Sequence, residues 1–125
     1  MILVFDSWAW LSVAEGDKAC EAVLNHLNGR QNEVFTTALN LYEVQYILRE
    51  RVGQNAALEF IESIKSKAKI IDIDAETASL AADIHLAEKL SSVDAFVYAA
   101  AVKLGGKVLT GDPHFKGKEF AIFLG

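Results

Sequence analysis

Four carboxylates are spaced along this chain so that a small α/β domain would bring them together. Asp6 ends the apolar run Ile2-Leu3-Val4-Phe5, Glu43 sits early in a helical stretch at 38–51, Asp94 opens another at 91–104, and Asp112 follows Lys107-Val108-Leu109-Thr110. In an α/β unit the crossover helix runs antiparallel to the strands, so its first turn lies at the same sheet edge as the strands' carboxyl ends. Asp6 and Asp112 stand at strand ends and Glu43 and Asp94 in first turns. All four then face one crevice, where ligands of open α/β sheets bind.

Four acids in one crevice repel: two charges about 4 Å apart cost on the order of 4 kcal/mol at an effective dielectric of about 20. Raised pKa values, a basic side chain in the cluster or a bound cation would offset this. None of the four segments places a base on the cleft face, which favours the cation. Oxygen ligands suit Mg²⁺ or Mn²⁺ rather than zinc.

Each acid also has a structural reading. Asp6 has the residue type and place of a helix N-cap. Asp112 lies in Gly-Asp-Pro-His, a turn sequence. Ser91-Ser92-Val93-Asp94 resembles a capping box with Asp in place of Glu, which would make Asp94 the partner of Ser91. Capping and ligation through a free oxygen are compatible. Glu43 is flanked at helical spacing by Leu39, Tyr46 and Ile47, and a carboxylate on such an apolar face needs a partner. Asp94 has Val97, Tyr98 and Ala101 over it, on a helix apolar all round except for Lys103.

The elements that must position these residues follow from hydrophobic periodicity and from start and stop signals. They are strands at 2–5, 33–37, 69–73 and 107–110, with a short one at 120–124. Helices are expected at 7–14, 17–28, 38–52, 54–67, 75–89 and 91–104. Asn28-Gly29, Gly53 and Gly105-Gly106 read as helix stops, and Asp74 and Ser91 as N-caps. The alternation implies a mostly parallel sheet covered by helices.

Composition bounds the function. A chain of 125 residues with 52% hydrophobic residues and one proline reads as a single folded domain, 1–125, burying roughly two-thirds of its unfolded surface. The longest apolar run, 95–102, is far short of a membrane span. The early acid and the lack of a basic leader do not read as a signal peptide. Cys20 is the only cysteine, which excludes an internal disulfide and a cysteine-based zinc site and makes a cytoplasmic location the default. A net charge of -5 argues against a surface-wide grip on nucleic acid, but not against a nuclease whose acids hold a cation locally. Arg49, Arg51, Lys65, Lys67, Lys69, Lys103, Lys107, Lys116 and Lys118 remain to meet phosphates.

Other residues read as packing. Trp8 and Trp10, two apart, face different ways on a helix, and Tyr42 and Tyr46, four apart, form a helix-face pair for core or interface. His26, His85 and His114 have no metal-ligand spacing. A haloacid-dehalogenase-type phosphatase would need a second Asp two residues after Asp6, where Trp8 stands. A receiver-type phosphoacceptor would need an acidic neighbour that Asp6 lacks.

Four segments in this order and spacing carry a family resemblance: Val4-Phe5-Asp6-Ser7, Thr37-Ala38-Leu39-Asn40-Leu41-Tyr42-Glu43, Asp94-Ala95-Phe96-Val97-Tyr98-Ala99-Ala100-Ala101 and Leu109-Thr110-Gly111-Asp112-Pro113-His114-Phe115. Along essentially its whole length the chain resembles a PIN domain, and within that family the short stand-alone toxins of VapBC toxin–antitoxin pairs. The resemblance implies a three-layer α/β/α fold and Mg²⁺- or Mn²⁺-dependent hydrolysis of RNA phosphodiesters. Asp6, Glu43, Asp94 and Asp112 would be the catalytic, metal-holding residues. Ser7, Asn40 and Thr110 match the family's hydroxyl and amide helpers, and Asn40, one helical turn before Glu43, can reach the same site. Asp6 and Asp94 are the better direct ligands, with Glu43 or Asp112 orienting or deprotonating water.

Many relatives carry a further acid where His114 stands; His114 either contacts substrate or fills the turn, and is expected to have no catalytic role. The resemblance also implies a homodimer and a VapB-like antitoxin whose tail covers the cleft with an Arg or Lys. The alternatives are a PIN-domain nuclease of RNA processing or ribosome maturation, or a PIN-like binding module without catalysis.

Overall fold

The computed structural model describes residues 1–125. Strands β1 (Ile2–Phe5), β2 (Glu33–Thr37), β3 (Lys69–Ile71), β4 (Lys107–Thr110) and β5 (Ala121–Phe123) form one sheet in the order β3-β2-β1-β4-β5. Every neighbouring pair is parallel, so the sheet is wholly rather than mostly parallel. The helices are α1 (Ser7–Glu15), α2 (Cys20–Leu27), α3 (Ala38–Val52), α4 (Gln54–Lys67), α5 (Ala75–Glu88) and α6 (Ser92–Leu104). No helix is long and apolar enough to cross a membrane.

Strand alternation divides the core between the two sheet faces. Leu3, Phe5, Val34 and Leu109 pack with α1 to α4 around Trp10, Val23, Val44 and Ile64. Val4 and Val108, from the opposite face, pack with α5 and α6 around Ala81, Val97, Ala100 and Phe115. This is the three-layer α/β/α arrangement. Trp10 is anchored as well as buried: its Nε1 donates to the Thr36 hydroxyl at 3.0 Å, and that hydroxyl donates to the Phe5 carbonyl at 2.8 Å.

Most boundaries fall within one residue of the sequence expectation; two shift further, and one short element is added. The second helix starts at Cys20 rather than 17, because Asp17 accepts bonds from the Ser12 hydroxyl and the Ala19 amide and makes a turn there. β3 stops at Ile71, ahead of Asp74, which caps α5 by accepting from the Thr77 amide at 2.8 Å. Residues Pro113–Phe115 form a short 3₁₀ turn. Gly105 closes α6 in the left-handed conformation, at φ 68°.

Candidate active site

β1 and β4 are neighbours, and both end at one edge of the sheet. There Asp6 is 3% exposed. Its Oδ1 caps α1 by accepting from the Ala9 amide at 3.0 Å, while Oδ2 accepts a short hydrogen bond from the Thr110 hydroxyl. The capping reading therefore holds and does not use up the group, since each carboxylate oxygen keeps a further lone pair. The Thr110 hydroxyl also accepts from the Asp112 amide at 3.0 Å. One side chain thus ties the first acid to the backbone of the fourth.

Asp94 approaches from α6. The Ser91 hydroxyl accepts from the Asp94 amide at 3.4 Å, so Ser91 is the N-cap and the cap contact falls on the Asp94 backbone. Ligand atoms of Asp94, Asp112 and His114 lie within 4.8 Å of one another. The sequence left His114 either contacting substrate or filling the turn. It lies in the 3₁₀ turn and also beside the acids, because Asp112 caps that turn and accepts from the His114 amide at 2.9 Å, with the imidazole Nδ1 2.8 Å from the same Oδ1. The signal in the sequence was Asp-Pro at a cap and first helical position, which fixes the direction of the next side chain. Glu43, half-buried on α3, stands outside this group of three and acts on Asp94 through its charge. Its surroundings are less apolar than the sequence implied, since Tyr42 and Tyr46 are 63% and 43% exposed, side by side with ring centres 5.2 Å apart.

The electrostatics show acids under pressure. Burial pushes the Asp6 carboxyl up to about 7 against the lowering effect of its bonds to Thr110 and Ala9, and the charges of Asp94 and Asp112 push it further. Burial, then the Asp112 charge, pushes Asp94 up to about 6. Five basic side chains are engaged elsewhere, Arg51, Lys65, Lys69, Lys103 and Lys118 pairing with Glu15, Glu62, Glu33, Asp74 and Glu88, and the side chain that meets an acid of the cluster is the His114 imidazole on Asp112. Of the others, Lys107 opens β4 and so lies at the opposite sheet edge, while exposed Lys116 lies just past the 3₁₀ turn beside the cluster. Carboxylate oxygens at this density are the donor set of a hard divalent cation, and a cation would draw both raised pKa values down. The residues fit Mg²⁺ or Mn²⁺.

The helper residues act behind the acids. Asn40 is fully buried, its Nδ2 donating to the Ser7 hydroxyl at 3.0 Å and its Oδ1 accepting from the Thr37 hydroxyl at 2.7 Å. Its amide is spent on bracing α1 against the start of α3, with Ser7 held next to Asp6, rather than on reaching into the crevice beside Glu43. Gly111 is packed so closely on Trp8 that a Cβ there would lie 2.1 Å from the indole. Trp8 thereby fixes the segment that carries Thr110 and Asp112, a link the sequence pattern does not disclose.

Fold and site together define a parallel α/β domain with an acidic crevice at the carboxyl edge of its sheet. The chain belongs to the PIN domain family, whose family model matches residues 3–121. Among solved structures it is similar to VapC20 of Mycobacterium tuberculosis, described as a sarcin-ricin loop cleaving toxin. The TM-score is 0.79 at 21% identity, covering 94% of this chain and 95% of that one. It is also similar to a toxin–antitoxin complex from Klebsiella pneumoniae, with a TM-score of 0.78, 18% identity and 98% of each chain covered. VapBC2 from Rickettsia felis, bound to a DNA fragment from its promoter, gives a TM-score of 0.77 at 15% identity, covering 98% of this chain and 97% of that one. Comparison with curated proteins gives no match.

Proposed function

We propose that this protein is a metal-dependent endoribonuclease that hydrolyses RNA phosphodiester bonds, and that it is the toxin of a type II VapBC pair. The observation that carries this reading is the convergence of Asp6, Asp94 and Asp112 at one sheet edge, two of them with pKa values raised by burial and mutual charge, and no Lys or Arg paired with any of them. PIN membership supports the nuclease, and the likeness to toxins and toxin–antitoxin complexes supports the narrower assignment.

Asp6 and Asp94 are assigned as the carboxylates that hold Mg²⁺ or Mn²⁺. The ion, when bound, supplies a lowered pKa for the attacking water and charge to offset that on the phosphoryl oxygens. Glu43, or Asp112 through an oxygen left free, would orient the attacking water in line with the phosphorus and take its proton as the new phosphorus–oxygen bond forms and the bond to the leaving oxygen, which takes a proton from solvent, breaks. Thr110 keeps Asp6 and Asp112 in fixed relation, and Asn40 with Ser7 keeps α1 and α3 from drifting apart.

A VapB-like antitoxin would silence the site by placing an Arg or Lys among the acids, where a guanidinium supplies the charge otherwise provided by the cation. A homodimer belongs to the same reading, with the exposed Tyr42–Tyr46 pair available to a second copy. The cytoplasm is the compartment where such a protein meets its RNA.

Metal removal tests the proposal. The purified chain incubated with a total-RNA pool should cut in Mg²⁺ or Mn²⁺, stop on chelation with EDTA and resume when the cation is added in excess. Cleavage indifferent to EDTA would contradict the assignment.

A further inference from the structure

We propose that His114 is itself a metal ligand, and that it biases the crevice toward a first-row transition cation over Mg²⁺. The inference rests on the cation-dependent reading above and specifies which ion the site selects.

His114 is exposed, with 71% of its side chain open, yet it is not free. Pro113 fixes the first residue of the 3₁₀ turn, the Asp112 carboxylate caps it, and the fully buried Phe115 pins its far end in the core beneath α6. The imidazole is thereby held over the acids rather than swept through solvent.

The spacing is that of ligands sharing an ion. In an octahedron with bonds of about 2.1 Å, adjacent ligand atoms are about 3 Å apart and opposite ones about 4.2 Å. The Asp112 Oδ1 and His114 Nδ1 are 2.8 Å apart, an adjacent pair, and the whole group with Asp94 spans no more than 4.8 Å. Seating all three on one ion would ask the half-buried Asp94 side chain to close the part of that span beyond about 4.2 Å. In the hydrogen bond the His114 Nδ1 donates its proton to the Asp112 Oδ1; in the tautomer with the proton on Nε2 the same Nδ1 offers a lone pair to a cation shared with Asp112, so one contact replaces the other.

The donor set then decides the ion. Mg²⁺ takes oxygen ligands in near-ideal octahedral geometry and gives up its waters reluctantly. Imidazole nitrogen is a softer donor that strengthens binding of transition cations. Replacing one oxygen position by His114 therefore costs Mg²⁺ more than Mn²⁺.

The other histidines are elsewhere: His26 sits in α2 with its Nδ1 2.8 Å from the Ala22 carbonyl, and His85 is in the last turn of α5. A nitrogen on the bound ion would then be traceable to His114.

The test is Mn²⁺ titration of the full chain followed by EPR, with pulsed EPR reading ¹⁴N coupling to the ion, and with Mg²⁺ as competitor. Wild type is expected to show a ¹⁴N-coupled Mn²⁺ that Mg²⁺ displaces poorly. His114→Ala should lose the coupling, weaken Mn²⁺ by about tenfold or more, and let Mg²⁺ compete better. His114→Asp should restore Mn²⁺ binding without nitrogen coupling and narrow the preference between the ions. If Mn²⁺ binds, is lost in Asp94→Asn, but shows no ¹⁴N coupling in wild type or the same coupling in His114→Ala, the ligand role of His114 is overturned while the acid site stands. If wild type binds no Mn²⁺, the cation-dependent reading falls and this inference with it.

Discussion

Asp6 is asked to cap a helix, accept from Thr110 and sit among other acids while almost wholly out of water, and its protonation is where that load becomes measurable. Its carboxyl is pushed from an ordinary 3.8 up to about 7. The unfolded chain gives up the proton first, so between about pH 4 and pH 7 the folded state holds more protons and stability falls as pH rises. Asp94, pushed up to about 6, adds in the same direction. With cations chelated, the Asp6 part alone is on the order of 4 kcal/mol across that window. Asp6→Asn keeps the cap and should flatten the profile, and Mn²⁺ should restore wild-type stability near pH 8. Urea denaturation across pH reads this; wild-type stability that rises from about pH 5 to pH 8 in chelator would contradict it. The meeting of Asp6, Asp94 and Asp112 was legible from the sequence because strand ends and first turns are local features, whereas Glu43 stands outside the close group. The nearness of His114 to the acids comes from the Asp-Pro cap, a turn signal that ligand spacing does not carry.

At the scale of elements, the carboxyl end of β4 does most of the positioning. Thr110 bonds Asp6 and the Asp112 amide, Gly111 lies against Trp8, and Asp112 starts the 3₁₀ turn that holds His114. Gly111→Ala sets a methyl into the indole and should destabilise the fold by about 1–3 kcal/mol, with cleavage reduced as Thr110 and Asp112 shift. The double variant Trp8→Ala with Gly111→Ala should lose less stability than the two single losses added together, because the clash is gone. Strict additivity in denaturant melts would sink the contact as the cause. Strands and helices were readable from periodicity, caps and glycine stops, including the short last strand. What escaped is non-local: the turn at Asp17 depends on Ser12, and the exposure of Tyr46 on α3 depends on what packs beside it. Asn40 illustrates the same limit, since helical spacing put it beside Glu43 whereas Ser7, thirty-three residues away in sequence, claims its amide.

The whole molecule carries a net charge of -5, and five of its basic side chains are already in ion pairs with acids. Such a surface gives RNA phosphates little to hold by charge alone. Under the proposed function, both the grip on the scissile phosphate and the chemistry fall to the acidic crevice, through a cation. Asp94→Asn bears on this most directly, because Asn keeps the side chain's size and the Ser91 cap falls on the residue-94 amide, which the change leaves in place. The measurement is cleavage of total RNA in Mn²⁺ by wild type and Asp94→Asn, purified identically and shown by melting to be equally folded. With Asp94 as a ligand of the cation, the mutant is expected to lose activity by about a hundredfold or more, on the scale of removing a group that stabilises charge in the transition state. Equal cleavage by the two proteins would contradict it and leave Asp94 a structural residue of α6.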